Sequence, residues 1–89
     1  MAHCPIEQLT DLEAVFEVLR QWPGLKEKKI GTFYYKGKGF LHFHIKGDRR
    51  WADIREGNDW GEPFDIAFDP DAEVQAAFLK EIERRYQLL

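Results

Sequence analysis

The sequence predicts an α+β domain in which a four-stranded antiparallel meander carries two helices packed on one face, in the order α-β-β-β-β-α. Near both ends of the chain, apolar residues recur at three- and four-residue steps, which is the period of an amphipathic helix. In the middle of the chain they alternate, which is the period of a strand. Because 89 residues are the length of one domain, we expect a single domain over residues 1–89.

The first predicted helix begins at Thr10, because Thr10 and Glu13 have the spacing of a capping box. It ends before Pro23-Gly24, since proline disfavours helix at the preceding residue and glycine suits the turn. The apolar stripe expected to face the sheet is Leu12, Val15, Phe16, Leu19 and Trp22.

Four strands are predicted between the helices, because threonine, aromatic and aliphatic residues follow a period of two there. Gly37-Lys38-Gly39 separates the first two strands, and Gly47-Asp48 has the form of a two-residue type II′ hairpin turn. A loop over 56–63 precedes the last strand. The strands are expected at 30–36, 40–46, 50–55 and 64–68.

The second helix is expected to have Asp69 as its N-cap and Pro70 at its first helical position. Arg84 and Arg85 fall in its last turns, where cations stabilise the negative end of the helix dipole. The apolar face expected to pack on the sheet is Val74, Ala77, Phe78, Ile82, Tyr86 and Leu89.

A two-residue turn at Gly47-Asp48 would fix the register between the second and third strands. A slip of one residue would place Asp53 among apolar groups, so burial favours this register. The pairs expected are Lys46 with Arg49, Ile45 with Arg50, His44 with Trp51, Phe43 with Ala52, His42 with Asp53, and Leu41 with Ile54.

This register gives the two strands an apolar face, assigned to the helices, and a second face turned away from them, which we call the open face. The open face is expected to hold Phe40, His42, His44, Arg49, Trp51, Asp53 and Arg55. Such a mixture of aromatic, imidazole and charged groups is ordinary on the solvent side of a sheet, although this much aromatic surface favours a partner.

From the open face we predict a non-catalytic binding or protein-interaction domain. We expect no catalytic residues, no metal and no cofactor. The expected binding residues are Phe40, His42, His44, Trp51, Asp53 and Arg55.

An alternative is a small metal-dependent or His/Asp-based enzyme centred on His42, His44 and Asp53. Two imidazoles and one carboxylate suit a divalent transition metal, and a His–Asp pair is part of many hydrolytic sites. A fourth ligand would have to come from His3 or Cys4. The chain has no serine with which to form a nucleophile, so we do not favour an enzyme.

A second alternative is a platform for single-stranded nucleic acid, with Tyr34 or Tyr35, Phe40 and Trp51 as stacking groups beside the lysines. Residues 36–43 resemble the RNP1 motif of the RRM family. Lys38, however, stands where that motif has an aromatic, and no strand precedes the first predicted helix. We therefore do not expect a nucleic-acid partner.

Charge is segregated along the chain. Residues 26–55 contain nine basic and three acidic residues (+6), residues 1–25 one and four (−3), and residues 56–89 three and nine (−6). Neutralisation of acidic helices by basic strands is the simplest explanation, and an anionic ligand on the basic central hairpins is the alternative. A homodimer through the aromatic sheet face is a third interpretation.

The single cysteine excludes an intrachain disulfide and suits a reducing compartment. The apolar runs are too short for a transmembrane helix, and the first residues lack the pattern of a secretory signal. We expect a cytoplasmic protein without a membrane partner.

Three segments carry a family resemblance: Trp22-Pro23-Gly24-Leu25, residues 35–44 and Trp51-Ala52-Asp53-Ile54. In them the chain resembles small bacterial α+β proteins of uncharacterised function. It is also similar to the luciferase-associated domain, which has a Pro-Gly turn after a helix, an H-x-H strand and a following Ala-Asp pair. The similarity covers about the middle third of the chain. It implies that His42, His44 and Asp53 belong together, and it implies no activity.

Overall fold

The structure is a computed structural model, and it describes residues 4–89. Within them, six antiparallel strands form one sheet: β1 (Leu25–Lys29), β2 (Thr32–Tyr35), β3 (Lys38–Lys46), β4 (Arg49–Glu56), β5 (Asp59–Trp60) and β6 (Phe64–Asp65). The first five strands follow one another as a meander, and β6 returns to pair with the half of β4 that β5 leaves open.

Two helices flank the sheet in sequence, α1 (Glu13–Leu19) and α2 (Ala72–Tyr86), and short 3₁₀ turns at Ile6–Gln8 and Thr10–Leu12 precede α1. Both helices pack on the same face, because the ring of Phe43 lies 5.7 Å from that of Phe16 on α1 and 5.9 Å from that of Phe78 on α2. The α+β class, the antiparallel sheet and the two helices are therefore as predicted.

The prediction of four strands is wrong, because the sheet has six. The strand predicted over 30–36 begins only at Thr32, because residues 30 and 31 form a turn in which Gly31 has a φ of +83°, a value open to glycine but strained for other residues. The strand before that turn, β1, was hidden in the sequence by its lysines, which lie along an edge strand where charge is tolerated. At the other end, only Phe64–Asp65 of the predicted strand 64–68 pairs, and β5 lies within the predicted loop.

Both predicted N-caps are wrong. Thr10 lies in a 3₁₀ turn, and α1 begins without a side-chain cap, because burial of Leu9 and Leu12 fixes this segment on the core. At α2 the cap is Asp71, whose side chain accepts a hydrogen bond from the Val74 N–H at 2.9 Å. The Asp69 N–H instead donates to Asp11, which holds Asp69 in the preceding turn.

The core lies between the sheet and the helices, and a buried ion pair joins it to the N-terminal segment. The Arg50 side chain is fully buried, and its guanidinium donates to both carboxylate oxygens of Asp11 at 2.7 and 3.0 Å. Burial acts to raise the pKa of Asp11, but the hydrogen bonds from Arg50 and from the Asp69 N–H outweigh it and hold that pKa below its usual value. The buried apolar residues are Leu9, Leu12, Val15, Phe16, Leu19, Phe33, Phe40, Leu41, Phe43, Ala52, Ile54, Ile66, Phe78 and Ile82.

Among residues 4–89, neither α1 nor α2 has the length and hydrophobicity that a membrane-spanning helix requires.

Candidate functional site

The hairpin of β3 and β4 has the register that the Gly47-Asp48 turn predicts. All six expected pairs are present, including His44 with Trp51 and His42 with Asp53. Gly47 has a φ of +62°, as the first central residue of a type II′ turn requires. The two histidines and Asp53 therefore lie side by side on the open face.

The three side chains form a compact cluster. His44 Nε2 lies 2.9 Å from Asp53 Oδ2, and His42 Nε2 lies 3.9 Å from the same oxygen. One donor atom from each residue can be chosen so that all three lie within 4.8 Å of one another. His44 is buried, whereas His42 and Asp53 are half-buried. We call these three residues the HHD cluster.

The HHD cluster lies in a continuous ladder of rings that crosses the open face. Trp51 stacks on His44 with a centroid distance of 5.5 Å and an interplanar angle of 23°. His42 contacts His44 edge to face at 4.6 Å, and Trp60 contacts His42 in the same way at 4.7 Å. Guanidinium groups close both ends, with Arg49 over Trp51 and Arg55 over Trp60. This packing fixes the orientation of both imidazoles.

The placement of Phe40 on the open face is wrong, because this side chain is fully buried in the core and contacts Tyr86 of α2. A β-bulge causes the difference. Phe33 of β2 pairs with Leu41 and Tyr34 pairs with Gly39, so Phe40 is an extra residue in β3. An extra residue breaks the alternation of faces, which allows Phe40 and Leu41 both to enter the core. The other expected binding residues, including Trp51 and Arg55, have the predicted orientation.

Trp60 belongs to the site, although it falls within the predicted loop over 56–63. It lies across the open face, where its ring contacts His42 and where a Cβ on Gly39 would come within 3.2 Å of it. Gly57-Asn58 is a second two-residue turn, which pairs Arg55 with Trp60 and so gives them a common face. That turn was the signal in the sequence that would have identified Trp60.

Cys4, one of the two N-terminal candidates, supplies no fourth ligand. Cys4 packs against the core, and its thiol contacts the Gln8 carbonyl on the helix side of the sheet. Burial raises the pKa of this thiol. His3 lies outside the described residues. Within residues 4–89, one group of at least three His, Cys, Asp or Glu side chains is close enough to hold a metal ion, and this group is the HHD cluster.

The basic residues of the central hairpins are divided between the two faces. Arg50 neutralises Asp11 on the helix side, as the neutralisation hypothesis expects. On the open face, alternation and register place six cations and two carboxylates, which gives +4. These residues are Lys26, Lys28, Lys29, Lys46, Arg49, Arg55, Asp53 and Asp65.

Two of the aromatic groups proposed for a nucleic-acid platform lie on the helix side. Phe40 is in the core, and the Tyr35 ring contacts Tyr86 at 5.9 Å. Trp51 stacks with His44 and also contacts the guanidinium of Arg49. The RNP1-like segment therefore does not present its aromatic residues as RRM domains do.

Comparisons with protein-family models, with curated proteins and with solved structures give no match for this chain. The resemblance to the luciferase-associated domain stays a prediction.

Proposed function

We propose that this protein is a small binding domain whose open face holds a divalent transition-metal ion between His42, His44 and Asp53. One observation carries the proposal: a single carboxylate oxygen of Asp53 lies within 3.9 Å of Nε2 of both histidines. The proposal replaces our expectation of a site without a metal and retains the binding role of the open face.

The donor atoms select the class of ion. Imidazole nitrogen suits zinc, copper, iron and nickel, whereas magnesium and calcium prefer sites made of oxygen ligands. Two imidazoles and one carboxylate therefore favour a transition metal, and zinc is the simplest probe because it has no redox chemistry.

The spacing of the donors fits such an ion. With zinc–nitrogen and zinc–oxygen bonds of about 2.0–2.1 Å, neighbouring donors of a tetrahedral site lie about 3.3 Å apart. The distances of 2.9 and 3.9 Å from Asp53 Oδ2 to the two imidazole nitrogens lie on either side of that value. The three donors lie within 4.8 Å of one another, so an ion would have to draw them together by side-chain rotation.

The surroundings support a pre-formed site. The stacked Trp51 and the edge-on Trp60 restrict the two imidazoles, so little conformational entropy is lost when an ion binds. The Asp53 carboxylate offsets part of the ion's charge on a face that is otherwise cationic.

Zinc titration of the purified protein tests the proposal, with binding heat and melting temperature as readouts. At a free zinc concentration of 100 times Kd, binding would stabilise the fold by about 2.7 kcal/mol. For a domain of this size, that corresponds to a rise in melting temperature of about 10–20 °C. Asp53→Asn and His42→Gln should each lose most of the affinity, with the fold checked by circular dichroism.

Asp65→Asn is the matched control, because Asp65 lies on the same face and pairs with Arg49 rather than with the histidines. It should bind zinc as the wild type does. The proposal is wrong if the wild type neither releases heat nor gains stability with millimolar zinc, or if Asp53→Asn and Asp65→Asn bind the ion equally well.

A further inference from the structure

A groove lies on the open face beside the HHD cluster. Its volume is about 310 Å³, and Tyr34 of β2 and Trp60 of β5 stand among its walls, with Thr32, Gly39, His42 and Lys29 among the remaining lining residues. This volume is at the lower end of the range for small-molecule sites. We call it the Tyr34–Trp60 groove.

Gly39 allows Trp60 to form one wall of the groove. With no side chain at this position, the Trp60 ring lies close against the backbone of β3. The lining therefore includes the rings of Trp60 and Tyr34, which suits a ligand with an aromatic ring.

His42 is shared between the groove and the HHD cluster. The cluster offers three protein ligands, and no fourth was found among residues 4–89. A tetrahedral ion held by three protein ligands keeps one position open for water or for another ligand. A molecule in the groove is therefore next to a residue that binds the ion.

The charge of the site determines which chemical group a ligand in the groove should carry. A divalent ion beside one carboxylate leaves the site with a net charge of about +1. Lys29 borders the groove, and Lys28 lies over the Tyr34 ring at 4.5 Å, so the surroundings are cationic as well. An anionic oxygen donor matches both the ion and the lysines.

We infer that the domain binds a small aromatic carboxylate, whose ring lies in the Tyr34–Trp60 groove and whose carboxylate oxygen takes the open position on the metal ion. This inference rests on the proposed function, since it needs the ion. It adds the chemical class of the ligand and the residues that select it.

Cobalt-loaded protein tests the inference, because the visible absorption of Co²⁺ reports on its inner ligands. Benzoate should change this spectrum with an affinity at least 10-fold higher than that of acetate. Cyclohexanecarboxylate, which has a similar size but is not flat, should bind more weakly than benzoate.

Variants locate the ligand. Tyr34→Ala should reduce benzoate affinity to about that of acetate, while cobalt binding is retained. Trp60→Ala should reduce benzoate affinity likewise when it is measured at saturating cobalt, because this change also removes the ring that contacts His42. Lys29→Ala should weaken benzoate binding several-fold. Lys46→Ala is its matched control, because Lys46 lies on the same face but does not line the groove.

The outcomes separate the two proposals. If cobalt fails to bind, both are overturned. If cobalt binds in a manner that depends on Asp53 but benzoate leaves its spectrum unchanged, the proposed function stands and the aromatic carboxylate is wrong. A Tyr34→Ala variant with unchanged benzoate affinity would show that benzoate does not bind in the Tyr34–Trp60 groove, and the inference would be wrong.

Discussion

Replacement of Asp11 by asparagine should destabilise the fold more than any exposed charge change on the sheet. Asp11 accepts hydrogen bonds from Arg50 Nη1 and Nη2 at 2.7 and 3.0 Å and from the Asp69 N–H at 2.7 Å. Asparagine keeps a single acceptor oxygen and would point an amide group at a guanidinium that also donates. The Arg50 charge would then be buried without an anion, because its remaining partners are the carbonyls of Gln8, Ile66 and Ala67.

The expected loss can be bounded. Removal of one partner from a buried ion pair costs about 3–5 kcal/mol. Because the Asp11 side chain keeps 18% of its exposure, we expect the lower end of that range, about 3 kcal/mol. A domain of this length has a total stability of about 4–13 kcal/mol, so the variant would lose a large share of it.

Urea unfolding followed by tryptophan fluorescence measures this loss. With an m-value of about 1.5 kcal/mol/M, a loss of about 3 kcal/mol lowers the midpoint by about 2 M. Asp65→Asn is the control, because the Arg49–Asp65 pair is exposed on both sides and its removal should cost about 0–1 kcal/mol. In 1 M NaCl the small cost at Asp65 should disappear, whereas that at Asp11 should persist.

The reasoning is refuted if Asp11→Asn unfolds at the same urea concentration as Asp65→Asn. It is also refuted if high salt removes the difference between them, since a salt-sensitive cost would mean that Arg50 is reached by solvent.

Two further predictions concern α2 and the groove. Hydrogen bonds from Arg84, followed by those from Arg85, lower the pKa of Glu81 from 4.5 to about 2, so the unfolded chain takes up the proton first as pH falls. The stabilisation by ionised Glu81 is complete above about pH 4.5 and is lost towards pH 2. Glu81→Gln should cost about 1 kcal/mol of stability at pH 7, because solvent screens the interaction with the exposed Arg84. In urea titrations between pH 4.5 and pH 2, this variant should lose less stability than the wild type does. At the groove, Gly39→Ala would place a Cβ 3.2 Å from the Trp60 ring, so the ring must shift by a few tenths of an ångström. The Trp60 indole resonance should move in ¹H–¹⁵N spectra, and the free energy of unfolding should fall by less than about 1 kcal/mol. In a Trp60→Ala background, Gly39→Ala should cause no such loss of stability. An unmoved indole resonance would contradict the placement of Trp60.

The parts of the fold that could be predicted are those that local chemistry determines. A glycine at the first position of a two-residue turn fixes the pairing of every residue in the hairpin. For this reason His42, His44 and Asp53 could be placed together from the sequence, and the six pairs of β3 and β4 are confirmed. The two helices were visible because their apolar stripes repeat over two turns or more.

The parts that could not be predicted depend on contacts between distant segments. Thr10 has the sequence of a helix cap, but burial of its neighbours Leu9 and Leu12 determines the backbone there. The bulge at Phe40 was missed because Gly39, which lies inside β3, was assigned to the turn before the strand, and the residues after it alternate as in a regular strand. Alternation alone therefore assigned Phe40 to the wrong face.

The positions of Arg50 and Trp60 could also have been predicted from the strand register. Arg50 is opposite Ile45 and shares its face with Ala52 and Ile54, so the predicted pairing already placed a guanidinium towards the core. A buried guanidinium needs an anion, and the acidic ends of the chain are where such an anion would be sought. In the same way, the Gly57-Asn58 turn pairs Trp60 with Arg55 and brings it to the open face. Arg50 follows from the predicted hairpin itself, and Trp60 follows when the same turn rule is extended by one strand. Trp60 is the residue that gives the HHD cluster an aromatic wall beside which a ligand can bind.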